Sequence, residues 1–171
     1  MNFRLKLEEG HSKKITTTIV DHIGDSSLKL AQLIQVFKDG PQLITQRAAW
    51  PISYVFESQP HLADDYYELF IELLIQQNKH PAINRNILRG LQYANIPINH
   101  QGSMLDICFQ LLNSSQEPIA VKIFCMTIIE QLSTVYPEII PELKTSIKLL
   151  LPNASPGIKS RGTKILKSIQ E

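Results

Sequence analysis

Four prolines set the period of this chain. Pro41, Pro81, Pro118 and Pro156 lie 40, 37 and 38 residues apart, and each is soon followed by a basic residue. Those bases, Arg47, Arg85, Lys122 and Arg161, recur at intervals of 38, 37 and 39. A period of this length belongs to chains built from repeated supersecondary units, none of which can bury its apolar side alone. Proline is tolerated in the first turn of a helix, where its missing N–H would have had no partner. Each of the four is therefore predicted to open a helix whose second turn carries the base.

Apolar residues spaced by three and four support that placement. Helices are predicted over 42–58, 82–95, 119–135 and 158–169, with a second set over 26–38, 62–77, 103–112 and 138–151. Pro60, Pro97 and Pro137 precede the last three of the second set. The chain thus reads as helix A, turn, helix B, four times over, in repeats at about 26–58, 62–95, 99–135 and 138–171, after an N-terminal capping helix at about 12–24. No alternating strand pattern interrupts it.

At 171 residues the chain is expected to form one domain, 1–171, with a buried core. Its 43% apolar content excludes a disordered or collagen-like polymer. No run of 18 apolar residues is present, so no membrane partner is expected. The first nine residues have no apolar signal region, and the expected location is cytoplasmic. Cys108 and Cys125 are expected to be reduced, buried thiols.

Paired helices of this period, with proline near the turn and Arg or Lys in helix B, resemble the HEAT and armadillo group of α-solenoids. The units Pro41…Arg47, Pro81…Arg85, Pro118…Lys122 and Pro156…Arg161 carry the resemblance, and Gln46-Arg47-Ala48-Ala49-Trp50 is similar to a helix B start in that group. It implies an all-α, right-handed solenoid of about four antiparallel helix pairs. It implies a binding role rather than a reaction, and a polar residue before each helix B that accepts a bond from a neighbouring repeat's base. Asp39, Asn78, Asn113 and Asn153 stand in comparable places.

The basic ladder of Arg47, Arg85, Lys122 and Arg161 has two readings. As a structural device, each base bonds polar side chains or helix ends of its neighbour. As an anion track, the four bind a phosphate backbone. The structural reading is favoured because the bases recur with the repeat. On it, Arg85→Ala destabilises the protein whereas Lys79→Ala does not. On the other, Arg85→Ala leaves stability untouched and weakens ligand binding.

Trp50, Tyr54, Arg89, Tyr93 and Met126 are the candidate partner-binding residues, since aromatic and arginine side chains dominate binding hot spots. Pro51 removes one backbone bond inside the first helix B and is expected to bend it. Asp64, Asp65, Glu68 and Glu72 read as a solvated acidic stripe. The five histidines are scattered, and no His-Glu-x-x-His or Cys-x-x-Cys pairing occurs, so neither metal nor cofactor is expected. No catalytic residue is assigned.

These features favour a non-catalytic interaction or scaffold module for a protein or peptide partner. The alternative is a DNA-binding HEAT-like protein related to DNA glycosylases, which calls for a basic central face. Overall charge is +1, but residues 39–140 hold five bases against ten acids. Only residues 141–171, with six bases and two acids, would favour phosphate.

Overall fold

Proline presets φ near its helical value, and here it starts helices at every repeat spacing. Pro41 and Pro118 cap the helices that follow them, and Pro81 and Pro156 occupy first positions. The Pro41 carbonyl accepts from the Ile44 and Thr45 amides at 2.8 and 3.0 Å, which closes the first turn. Three other helices open on a short polar side chain. Asn2, Ser12 and Ser26 each accept from the amide three residues on.

The structure, a computed structural model, describes residues 1–76 and 80–169. Asn78, Lys79 and the last residue of the helix predicted over 62–77 lie outside them, as do the last two residues of the fourth repeat. The described residues form ten α-helices, three 3-10 segments and no strand.

The protein divides into two compact units, Met1–Ile96 and Pro97–Glu171. The first contains α1 (Phe3–Glu8), α2 (Lys13–Ile23), α3 (Ser27–Asp39), α4 (Gln42–Ser58), α5 (Tyr67–Ile75) and α6 (Pro81–Leu91), with a 3-10 segment at Pro60–Tyr66. Here α3 packs on α4, α5 on α6, and α4 lies against α6; α1 and α2 pack on α4 and also touch α3. The core is drawn from one stripe of each helix, with Leu30, Leu33, Ala48, Val55, Phe70, Leu88 and Leu91 all fully buried. Burying a side chain of leucine or phenylalanine size contributes about 1.5–3 kcal/mol, so these stripes fix which face of each helix remains outside.

The second unit contains α7 (Ile98–Asn113), α8 (Ile119–Ser133), α9 (Ile140–Leu150) and α10 (Pro156–Ser168). α7 packs on α8 and α9 on α10, and α8 lies against α10. Cys108 and Cys125 are free thiols, both at 0% exposure in the α7–α8 pair. A hydrogen bond with Cys108 and then burial hold the Cys125 thiol well above the ordinary thiol range. Both units are thus built from helix pairs whose B helices stack, the arrangement from which a HEAT-repeat solenoid is made.

Two details differ from the sequence reading. α1 was not foreseen; its Phe3 and Leu7 are buried at 3% and 2%. The segment expected to start a helix at residue 62 is instead a 3-10 turn through Tyr66, whose φ of −120° ends it before α5 begins. α4 keeps its helical assignment through Pro51, whose ring is buried.

Candidate interaction surface on α4 and α6

Helical recurrence places Trp50, Tyr54 and Glu57 on one strip of α4. Arg89 of α6 closes over that strip. Its guanidinium carbon stands 4.0 Å from the centre of the Tyr54 ring, in cation–π range. One guanidinium nitrogen donates to the Ser53 hydroxyl at 3.1 Å, and the other is ion-paired with Glu57. Trp50 lies 6.3 Å from Tyr54, and the His11 ring, from the loop before α2, packs on Trp50 at 4.7 Å.

A glycine lets the two helices come this close. A Cβ on Gly90 would stand 3.0 Å from the Phe56 ring and 3.3 Å from the Ser53 Cα. Arg89, next to it, therefore reaches across a short gap. Trp50, Tyr54, Glu57 and Arg89 are half-buried, while Tyr93, four residues beyond Arg89, is 46% exposed.

Of the five candidates, the structure brings Trp50, Tyr54 and Arg89 into one cluster and leaves Tyr93 exposed just past the end of α6. Met126 is a correction: it is 0% exposed, inside the core of the second unit. α8 is buried around most of its circumference between Val121 and Leu132, so its spacing alone could not identify an outer face. Sequence reasoning missed Ser53, Glu57 and His11. Glu57 was within reach, since it follows Tyr54 by three residues on the same strip. His11 has no signal in a linear pattern, because a separate loop supplies it.

The basic ladder is not uniform. Arg47 donates to the Leu7 carbonyl at 2.8 Å and the Glu8 carbonyl at 3.4 Å, at the C-terminal end of α1, where a cation is favoured. Lys122 is 8% exposed, and Arg161 is half-buried beside a shallow pocket of 380 Å³ that it lines with Lys164 and Ser160. Arg85 departs from expectation: it is exposed and makes no hydrogen bond or ion pair among the described residues. Asp39 instead accepts from its own helix, through Gln35. Asn113 and Asn153 are exposed.

The stability roles are accordingly reassigned. Arg47→Ala is expected to cost about 1–3 kcal/mol, because it strips the end of α1 of its donor. Arg85→Ala should change stability by less than about 0.5 kcal/mol. Urea melts of the two variants check this, and equal losses would refute the assignment.

His11 carries a further consequence. Burial, then the charges of Arg47 and Arg85, lower its pKa below the usual histidine value. An imidazole that resists protonation in the folded state takes up protons more readily once unfolded. Its contribution is therefore fully present above the unfolded pKa of about 6.5 and is lost as pH falls. His22 is shifted in the same direction by burial, the N-terminal charge and Lys29. Melts at pH 7.5 and 5.5 should show a smaller acid-side loss in His11→Gln than in the wild type, with the His22 share remaining.

Among the described residues no helix is long and apolar enough to cross a membrane, and no group of three metal-ligating side chains converges. Comparison with known families matches residues 3–169 to the HEAT repeat domain. Searches of the curated proteins and of the solved structures returned no match. The family match spans nearly the whole chain and agrees with its stacked helix pairs; the protein belongs to the HEAT repeat domain family.

Proposed function

We propose that the protein is a non-catalytic interaction module that binds another protein through the outer strip of α4 and α6. The observation that carries this is the column of Trp50, Tyr54 and Arg89, fixed by Glu57 and Ser53 and continued by the exposed Tyr93. Pre-ordered aromatic and guanidinium groups lose little freedom on binding, which is why they anchor protein interfaces. HEAT repeat domains commonly mediate protein interactions, which supports the same reading.

Nucleic acid is the weaker candidate. In the first unit Arg89 is neutralised by Glu57 and Arg47 is occupied at a helix end, so of these three arginines only Arg85 is unengaged for a phosphate chain.

The test is site-specific photo-crosslinking in the native cell extract, with the crosslinker at position 93 and, as a control, at exposed Leu149. The expected result is a discrete protein adduct from position 93 that disappears in Trp50→Ala and is absent from position 149. Adducts equally strong at both positions, or unchanged by Trp50→Ala, would rule the surface out.

A further inference from the structure

The Arg89 end of the strip is internally satisfied, but the Arg85 end is not. The register between α4 and α6 shows what meets there. Arg89 touches Ser53, Tyr54 and Glu57, and Gly90 faces Ser53 and Phe56. Arg85 lies one turn before Arg89, and Trp50 one turn before Tyr54; the charges of Arg85, and of Arg47 further back on α4, reach His11, whose ring packs at a tilt on Trp50. The helices therefore run side by side in the same direction, and Arg85 and Asn86 are level with Trp50.

This corner is short of acceptors. Arg85 has no carboxylate partner among the described residues, in contrast to Arg4, Lys6 and Arg89, which pair with Glu8, Glu9 and Glu57. The Asn86 side-chain amide is buried, at 3% exposure, and also lacks an acceptor. The Arg47 guanidinium adds positive potential; its Nη1 holds the end of α1, while its Nε is buried without a partner.

We infer that the corner formed by His11, Trp50 and Arg85 receives an acidic side chain of a partner polypeptide. The carboxylate pairs with Arg85, and the chain beside it packs on the Trp50 and His11 rings. The inference rests on the interaction reading above and deepens it by naming the partner's chemistry. A peptide carboxylate fits better than a nucleic-acid backbone because residues 1–96 hold ten bases and ten acids, and one unengaged guanidinium suits one anion. Binding a phosphate chain depends on several neutralising contacts at once. Guanidinium matches a carboxylate with two parallel N–H donors, and stacks beside aromatic faces.

The experiment uses the full chain at low salt and three dye-labelled probes: a capped octapeptide alternating glutamate and leucine, its lysine–leucine counterpart, and an oligothymidine of the same length. Trp50 is the sole tryptophan, so its emission reports on the corner directly while anisotropy reports on the probe. The glutamate peptide is expected to bind and to change the Trp50 emission. Its affinity should fall about tenfold in Arg85→Ala, recover in part in Arg85→Lys, and stay unchanged in Arg161→Ala. The lysine peptide should bind at least about tenfold more weakly.

Failure of the glutamate peptide to bind, equal binding of the two peptides, indifference to Arg85→Ala, or tighter and steeply salt-dependent binding of oligothymidine would each overturn the inference. The crosslinking experiment keeps the two claims apart. An adduct that needs Trp50 but persists unchanged in Arg85→Ala refutes the acidic ligand and leaves the interaction surface standing.

Discussion

Truncating Phe56 to alanine is expected to lower stability by about 3–5 kcal/mol, among the larger losses a single substitution can cause. Phe56 is 1% exposed and meets the Phe70 ring edge-on at 5.6 Å, with the rings 70° apart. It also lies over Gly90, so it joins α4 to both α5 and α6. Deleting the ring loses its transfer free energy and the edge-to-face contact, and leaves a cavity. Glycine on the facing helix has no side chain to move into that cavity, so little of it should close. Urea unfolding followed by Trp50 emission reads the loss, since Trp50 is on the same helix. A cost below about 1 kcal/mol would show that α4, α5 and α6 do not share this core.

The converse substitution at the same crossing should also be costly. Gly90→Val places a branched side chain where even a Cβ stands 3.0 Å from the Phe56 ring and 3.3 Å from a backbone atom of α4. The backbone contact cannot be relieved by a rotamer change, so α6 must move away. Overpacking of this kind costs about 1–3 kcal/mol. A displaced α6 also withdraws Arg89 from Ser53, Glu57 and Tyr54, so the crosslink at position 93 should weaken in the fraction that still folds. Gly102→Ala is the matched control. Gly102 is helical, and nothing lies within 4 Å of its Cβ position. There the helical preference of alanine acts unopposed, and a gain of up to about 1 kcal/mol is expected. Melts of the pair, with opposite signs, test whether close helix approach or glycine flexibility governs position 90.

Much of this architecture was legible because proline punctuates it. The helix predicted over 42–58 matches α4 end to end, and the prolines at 41, 81, 118 and 156 all open helices. What periodicity could not convey was local. α1 spans six residues, too few for an apolar repeat to show, although Asn2 as a cap and the pair Phe3 and Leu7 were visible signs. The 3-10 turn after Pro60 uses the same residue types as a helix and differs only in how tightly the backbone winds.

The site was legible in the same uneven way. Trp50, Tyr54 and Arg89 come together because the two helices are successive copies of one unit, 36 residues out of phase at the Ser53–Arg89 bond. The environment of each base depends on what the neighbouring element offers. Arg47 meets the open end of a helix, whereas Arg85, at the equivalent place one repeat later, meets solvent. Repetition in sequence set where these bases fall along their helices and left their partners unspecified.

The hold of Arg47 on α1 also orders how the first unit comes apart. A helix of six residues does not persist in water by itself, because nucleation is unfavourable and few backbone bonds repay it. α1 therefore exists by docking, through Phe3, Leu7 and the guanidinium that meets its last turn, whereas the seventeen-residue α4 packs against α2, α3 and α6. Opening of α1 is then a small, separate event that precedes global unfolding, and its amides should exchange with solvent well ahead of those in α4. Arg47 works as a latch on that first step, setting how often the underlying face of α4 is uncovered without altering how the rest of the unit is built.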